Sequence, residues 1–484
     1  MTALPTVAAA SYAILAPAPA TLTPPPEPIA APVVAAETGS TIAGPADLLF
    51  SLLDLDFALG PWTFRGYINV DSAEYDQDPA GPLDSDFRRG AIGDDSPGSA
   101  RDMGGGAYLR RARLGGEGTL GEHIAYRAMF ELGANRELRE PKIAEVWISY
   151  RRFKPYVIQL GAYPAPANMS DAANSDSTLF LERTTAGNLA RNLGAGDGRL
   201  SFTVRRSDPR WMAAVSLTGP LLDAQDDYSP QAAIVGRFSR ALDTRFAGTV
   251  HLGMSGTYVL VPPKAERAKD GGASFPVRLA ATPEIGVDDT VLIDTGEISA
   301  RRANVIGVEA ATQRRNLYAQ AEVFRFGIDR REDGPGGEDP HFWGFYVQGS
   351  WILTGEQRRF DRSRATFTFP EPARPLGEGG WGAWEVGLRY SRMNLNYEVG
   401  RAGELMPPGA VRGGDQSILA VSLAWYPRRR VRLMLNYSQV SVDRLNPASA
   451  IEPEPFGPAP ETPPPGAQIG QDLNILALRL RYSF

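Results

Sequence analysis

Arginine is the residue type in this chain with the clearest capacity for chemistry, namely the binding of anions. The 484-residue sequence has 50 basic residues, of which only four are lysine, so 46 are arginine. A guanidinium stays charged in almost any environment and grips oxyanions with a planar fork. The formal net charge is nevertheless −6. The arginine count alone therefore decides nothing, and what matters is which surface carries these side chains.

Other kinds of chemistry have few candidate residues. The absence of cysteine excludes thiol nucleophiles, zinc–thiolate sites and iron–sulfur clusters. The three histidines, His123, His251 and His341, have no metal-ligand partner at a useful spacing. We therefore expect no metal, no cofactor and no enzymatic activity. The acidic balance also argues against nucleic acid as a partner.

The elements that carry the arginines are predicted to be β-strands. After the first sixty residues, apolar and polar residues alternate with period two, which gives each strand two different faces. Near the C-terminus, Leu476, Leu478 and Leu480 fall on one face, whereas Arg479 and Arg481 fall on the other. Sixteen such segments are predicted, beginning near Trp62, Ala107, His123, Ile143, Tyr156, Arg199, Trp211, Gln231, Phe246, Asn304, Leu317, Phe342, Ala383, Ser417, Val431 and Asp472.

Short and long connections alternate between these segments, apart from one long connection over 354–382. Bacterial outer-membrane barrels have this pattern, with tight periplasmic turns and longer outer loops. The strand lengths of about 7 to 13 residues suit a tilted bilayer crossing. Aromatic residues cluster towards strand ends, as in an interfacial girdle. The predicted fold is therefore all-β, a 16-stranded antiparallel transmembrane β-barrel in contact with outer-membrane lipids and lipopolysaccharide.

The first sixty residues differ from the rest. Residues 3–16 are apolar and precede the small-residue pattern Ala16-Pro17-Ala18, which is typical of a signal-peptide cleavage site, but no Lys or Arg precedes Arg65. A disordered Ala/Pro-rich tail is the alternative. We expect residues 1–60 to lie outside the barrel, which occupies 61–484.

The inward faces of the predicted strands are basic. Twelve arginines fall inward against six glutamates, so the lumen carries about six positive charges. The inward glutamates are Glu117, Glu131, Glu145, Glu309, Glu322 and Glu385. The main pore-lining candidates are Arg65, Arg111, Arg113, Arg127, Arg205, Arg237 and Arg389. A low-dielectric tube with one sign of charge selects the opposite ion, which predicts an anion-preferring channel.

Two alternatives remain open at this point. Lumenal arginines also occur in weakly selective porins, where nearby acids neutralise them; Glu117 could pair with Arg111 or Arg113 along one strand. An outer-membrane hydrolase or an adhesin barrel is the other alternative. His251 faces inward among hydroxyl residues, which is more typical of pore lining than of a catalytic site.

Several spaced motifs occur in an order found in one family. They are Leu109–Leu114, Gly344–Ser350, Leu353–Glu356, Gly380–Val386, Leu423–Pro427 and Val431–Tyr437. With these motifs, residues 61–484 resemble the phosphate-selective porin O and P family. The terminal Phe484 resembles the aromatic residue read by the outer-membrane assembly machinery.

The resemblance implies a homotrimer that passes phosphate-like anions. It also implies that the third and fifth outer loops, here 163–198 and 259–303, fold inward together with the periplasmic turn 354–382. The arginines of these segments then become candidates for a constriction. The constriction candidates are Arg183 and Arg191 in the third loop and Arg359 and Arg362 in the turn.

Overall fold

The computed structural model describes residues 60–77, 103–132, 141–173, 177–222, 231–264, 275–332, 337–447 and 465–484. The predicted N-terminal segment therefore lies outside the described residues, apart from Gly60. The described chain is dominated by long antiparallel strands, each paired with its neighbours in sequence.

Sixteen strands form the barrel wall. They are β1 Thr63–Gln77, β2 Gly106–Leu120, β3 Ile124–Glu131, β4 Lys142–Tyr150, β5 Tyr156–Ala162, β6 Arg199–Ser207, β7 Trp211–Leu221, β8 Ala232–Thr244, β9 Gly248–Val261, β10 Ile298–Arg314, β11 Leu317–Arg330, β12 His341–Ile352, β13 Ala383–Tyr397, β14 Val411–Arg428, β15 Val431–Asp443 and β16 Asp472–Ser483. Strand β1 pairs with both β2 and β16, which closes the sheet. The predicted 16-stranded antiparallel barrel is confirmed.

The predicted strand starts agree with the structure except at two long strands. Strand β10 begins at Ile298 rather than Asn304, and β14 begins at Val411 rather than Ser417. The extra residues lie at the loop end of each strand and include Arg301, Arg302 and Arg412. Polar residues on both faces remove the alternation there, although the hydrogen-bonded ladder continues.

The outer face of the barrel is apolar and exposed. Val215 and Leu217 on β7 and Ile306 and Val308 on β10 each expose more than half of their side-chain surface, whereas the intervening residues are buried or half-buried. A continuous apolar outer face is what lipid requires of a barrel. None of the described helices has the length and apolar character needed to cross a membrane.

Three connecting segments fold into the barrel. The β5–β6 loop carries the short helices α1 Met169–Ala172 and α2 Thr185–Asn192, and α2 packs against β11, β12 and β13. The described part of the β9–β10 loop, 275–297, and the β12–β13 turn, 353–382, also contact the inner wall. The resemblance implied this inward folding, and the contacts confirm it.

The inward segments divide the barrel interior into two sides. Against β8 to β15, and against one end of β1 and β16, they build an apolar cluster that includes Phe180, Ile293, Phe324, Phe342 and Met393. We call this region the filled side. Against β16 and β1 to β7 an open cavity remains, and we call this region the open side.

Candidate functional site

The β5–β6 loop is held in place by hydrogen bonds from its backbone to the barrel wall. The Asn168 side chain caps α1 by accepting from the Asp171 amide. The amides of Met169 and Ser170 donate to the two carboxylate oxygens of Glu322 on β11, at 2.9 and 3.0 Å. The free amides of a helix end thus meet a buried wall carboxylate, which fixes the loop across the lumen.

A second carboxylate ties two inward segments together. Glu284 of the β9–β10 loop accepts from the amide of Thr185 at 2.7 Å, at the start of α2. It also accepts from the guanidinium of Arg389 and from the Ser391 hydroxyl on β13. Arg389, predicted to line the pore, therefore lies in the filled side as an anchor for these loops.

The β12–β13 turn is anchored in a similar way. Arg358 forms a bidentate pair with Glu385 on β13, with both N···O distances at 2.8 Å. Arg237 on β8 pairs with Glu309 at 2.8 Å and donates to the carbonyls of Arg364 and Ala365. The Arg237 side chain is fully buried, so this predicted pore residue also acts as an anchor and does not line the cavity.

The cavity of the open side has a volume of about 600 Å³ and opens to solvent. The arginines that line it are Arg65, Arg111, Arg113, Arg127, Arg151, Arg183, Arg191, Arg205, Arg364 and Arg481. The carboxylates that line it are Glu117, Glu145, Asp171 and Asp197. Among the described residues, ten cationic side chains therefore face four anionic ones. Five predicted pore residues and two predicted constriction residues lie here together.

Part of this positive charge is neutralised by ion pairs across neighbouring strands. Glu117 accepts from Arg65 at 3.1 Å and from Arg127 at 2.6 Å, and Arg127 reaches Glu145 at 3.3 Å. Arg113 pairs with Glu131 at 2.7 Å. Pairing of Glu117 with Arg111 or Arg113 along β2 was the wrong expectation, because the register places Arg127 directly opposite Glu117.

Four arginines of the cavity lining have no such compensation. Within the described chain, the guanidinium groups of Arg111, Arg151, Arg205 and Arg364 have no carboxylate within ion-pair distance. Arg364 and Arg151 repel Arg205, whereas the more distant carboxylate of Asp361 attracts it without forming an ion pair. Arginines placed close together without carboxylates in contact leave a positive potential that a mobile anion can satisfy.

The third-loop candidates lie at the edge of the cavity. Arg191 pairs with Asp171 and, at 2.6 Å, with Asp197, while Arg183 lies 3.5 Å from Asp171. Burial opposes ionisation of Asp197, but Arg191 and Arg113 outweigh it and hold the pKa of this carboxyl well below its usual range. The two arginines are thus present, with their charge largely balanced by the loop's own acids.

The two turn candidates lie elsewhere. Arg359 is exposed and pairs with Glu371, and Arg362 is exposed beside it. Neither lines the cavity; Ser363 and Arg364 of the same turn do. Alternation could not predict this difference, because the direction of each side chain in a folded turn depends on the local backbone path.

Sequence reasoning missed Arg110. A register shift in the β1–β2 pairing matches Asn69 with Arg111 and Val70 with Leu109, so Arg110 is the extra residue of a β-bulge. Arg110 pairs with Glu182 of the inward loop at 2.7 Å. Strict alternation cannot place two adjacent residues on the same side of a sheet, and no local signal marks the bulge.

The structure leaves His251 out of the cavity lining. It is fully buried, and its Nε2 atom lies 2.8 Å from Glu309, which also binds Arg237. No serine or threonine hydroxyl among the described residues is bonded to it. Within the described residues there is also no group of three or more metal-ligating side chains.

The sequence and fold were compared with known proteins. A protein of Caulobacter vibrioides described as uncharacterized is 26% identical over 358 residues, covering 72% of this chain and 65% of that protein, so the match spans less than two thirds of its length. Porin O of Pseudomonas aeruginosa is 23% identical over 354 residues, covering 70% of this chain and 77% of that protein.

Solved porin structures also align with the chain. The anion-selective porin from Comamonas acidovorans aligns with a TM-score of 0.48 and 13% identity, over 88% of this chain and all of that one. OprB of Pseudomonas putida aligns with a TM-score of 0.49 and 9% identity, over 91% and 96% of the two chains. The family model for phosphate-selective porin O and P matches residues 89–452. Because this match covers most of the chain, the protein belongs to the phosphate-selective porin O and P family and is a β-barrel of the bacterial outer membrane.

Proposed function

We propose that this channel lets small anions, including phosphate-like oxyanions, diffuse through the open side of the barrel. The observation that carries the proposal is that ten arginines and only four carboxylates line the cavity. Among the described residues, Arg111, Arg151, Arg205 and Arg364 have no carboxylate partner. The family name supports phosphate as one such anion. We infer no catalysis and no bound cofactor.

The physical reason for anion preference is the local field. The barrel wall excludes water on one side, so field lines from the unpaired guanidinium groups concentrate in the aqueous cavity and raise the local anion concentration. A guanidinium matches the geometry of an oxyanion with two parallel hydrogen bonds. Several arginines around one cavity let an anion pass from one to the next without being trapped.

A weakly selective porin is the alternative function. The chain of contacts from Arg65 through Glu117 and Arg127 to Glu145 neutralises much of the wall on β1 to β4. If such pairs extended to all the arginines under working conditions, small hydrophilic solutes of either charge would pass. The four unpaired arginines favour the anion channel.

Reversal potentials under a KCl gradient across a planar bilayer test the proposal. We expect a clearly anion-selective potential for the wild type and a shift of several-fold towards cations in the permeability ratio for Arg205→Gln with Arg364→Gln. Arg359→Gln, which alters an exposed arginine away from the cavity, is the matched control and should leave the ratio unchanged. A near-zero or cation-selective wild-type potential would support the weakly selective porin instead.

We further propose that the channel is a homotrimer surrounded by outer-membrane lipids and lipopolysaccharide. The resemblance to the family supports the trimer, and the exposed apolar outer face supports the lipid contact. Chemical cross-linking in membranes, followed by electrophoresis of unheated samples, should give a band of three chains. A single-chain band under all cross-linker concentrations would contradict the trimer.

A further inference from the structure

The cavity wall that carries the unpaired arginines also has an apolar patch. The residues of this patch are Met129, Trp147, Tyr163, Pro164 and Pro166. A small inorganic oxyanion gains nothing from contact with an indole ring or a thioether, since its partners are hydrogen-bond donors. Apolar surface beside convergent polar groups is instead the usual composition of a site for organic molecules, and about 600 Å³ lies in the size range of such sites.

The register of the neighbouring strands leaves the β5 side of Trp147 open. Trp147 lies opposite Arg127 on β3, whose guanidinium carbon lies over the indole at 5.9 Å from the ring centroid, and opposite Gly161 on β5. Gly161 has φ +143°, and a Cβ atom there would come within 2.2 Å of the Val146 carbonyl oxygen and 2.8 Å of the Trp147 Cβ atom. Glycine is therefore required at this position, and as a consequence the β5 residue directly opposite Trp147 places no side chain beside the indole.

Uncompensated positive charge lies within reach of this ring. Arg151 is four residues from Trp147 on the same inward face, which is about 13 Å along an extended strand. Arg205, on the neighbouring wall, and Arg364, on the inward turn, line the same cavity. The flexible arginine side chains cover part of this distance, which leaves length for one small ring between cation and indole.

We propose that the channel preferentially binds organic anions, namely carboxylates or phosphate monoesters that carry a flat apolar group. In this binding mode the anionic group contacts Arg205 and its unpaired neighbours, and the apolar group lies against Trp147 and Met129. The inference rests on the proposed anion channel and adds to it the class of solute. Inorganic phosphate still passes, but with a shorter residence time, because it makes only the polar contacts.

Block of single-channel chloride current by benzoate and by acetate tests the inference. Both are ionised carboxylates at neutral pH and differ in the group on the carboxylate, a phenyl ring in benzoate and a methyl group in acetate. We expect half-block by benzoate at a concentration about tenfold lower than by acetate, from the apolar area that the ring removes from water. Benzyl alcohol carries a ring without the charge and should not block.

Three variants test whether the stronger block by benzoate arises at the apolar patch. Trp147→Ala should reduce the benzoate-to-acetate ratio to about one, while Trp147→Phe should keep most of it because a flat apolar ring remains. The Phe variant also removes the 3.3 Å hydrogen bond from Trp147 to Glu145, so it separates ring contact from an effect on that carboxylate. Trp351→Ala, which alters an exposed tryptophan on the outer face, is the control and should match the wild type.

The outcomes separate this inference from the proposed function. Equal block by benzoate and acetate in an anion-selective wild-type channel would overturn the organic-anion inference and leave the anion channel standing. A ratio that persists in Trp147→Ala would also overturn it, since the preference would then arise elsewhere. A wild-type channel without anion selectivity would overturn both.

Discussion

The two sides of the barrel interior use the same residue type for different purposes. On the filled side, Arg237, Arg358 and Arg389 are buried, and each contacts a carboxylate that belongs to a different strand or loop. On the open side, Arg111 and Arg205 line a water-accessible cavity and have no carboxylate partner among the described residues. The comparison teaches that an inward-facing arginine is not by itself a conduction residue. Whether a carboxylate neutralises it decides its role.

The largest expected effect is on stability, from breaking a pair on the filled side. Glu309→Gln leaves the fully buried Arg237 without a carboxylate, and removal of one partner of a buried pair costs about 3–5 kcal/mol. We expect that loss in the free energy of unfolding, measured by denaturant titration of tryptophan fluorescence in lipid. Glu117→Gln, on the open side, should cost less than about 1 kcal/mol because its partners are solvated. Equal losses of unfolding free energy in the two variants would contradict the difference between the filled side and the open side.

The next effect is on selectivity, from reversing a charge on the open side. Arg205→Glu places a carboxylate among the unpaired arginines, and we expect the chloride-to-potassium permeability ratio to fall about fivefold or more. Stability should change little, because Arg205 makes no ion pair that would be lost. Reversal potentials measure the ratio, with Arg362→Glu as a control that changes charge equally on an exposed residue outside the cavity lining. A similar fall in the control would mean that net charge, rather than position, sets the selectivity.

A smaller effect of opposite sign sharpens the comparison. Glu117→Gln releases Arg65 and Arg127 from their shared carboxylate and adds uncompensated charge to the cavity. We expect the anion preference to rise by about 1.5- to 2-fold, measured at low salt where screening is weak. Glu371→Gln, which frees Arg359 away from the cavity, should leave the reversal potential unchanged. An unchanged chloride-to-potassium permeability ratio in both variants would show that arginines paired with a carboxylate attract anions as strongly as unpaired ones.

The smallest effect concerns the acid stability of the third loop. The pKa of Glu182 is held well below its usual range, because Arg110 and Arg479 outweigh the opposing effect of burial. A carboxylate with a lowered folded-state pKa contributes stability that is present above its unfolded pKa of about 4.3 and is lost as the pH falls through the folded value. Segment 163–198 should therefore resist pepsin best at pH 5, and become steadily more susceptible as the pH falls from about 4 towards 2. Susceptibility that does not rise between pH 5 and pH 2, corrected at each pH for pepsin activity on an unfolded control, would contradict this balance of charges.

The sequence predicted the barrel far better than the cavity. Alternation with period two is a local property, so the sixteen strands and most inward faces could be assigned without tertiary information. The division into two sides depends on where inward loops pack, and nothing local distinguishes Arg237, which is buried beneath a turn, from Arg205, which is not. The sequence likewise contains no signal for the bulge at Arg110. It also does not indicate the backbone path that directs Arg364, rather than Arg362, into the cavity. The acids Asp171 and Asp197, which balance Arg191, lie in a loop where alternation has no meaning.

One contact links the first and last strands of the barrel to the inward loop. Arg479 on β16 binds Asp71 on β1, 408 residues away, and also Glu182 of the third loop. During synthesis the partner for Asp71 is therefore made last, after the loop and all the intervening strands. Closure of the barrel and final docking of the loop consequently share one side chain and should occur as a single late folding step. A chain arrested before β16 would keep an open sheet edge, and Glu182 of the loop would have Arg110 alone as its ion-pair partner among the described residues.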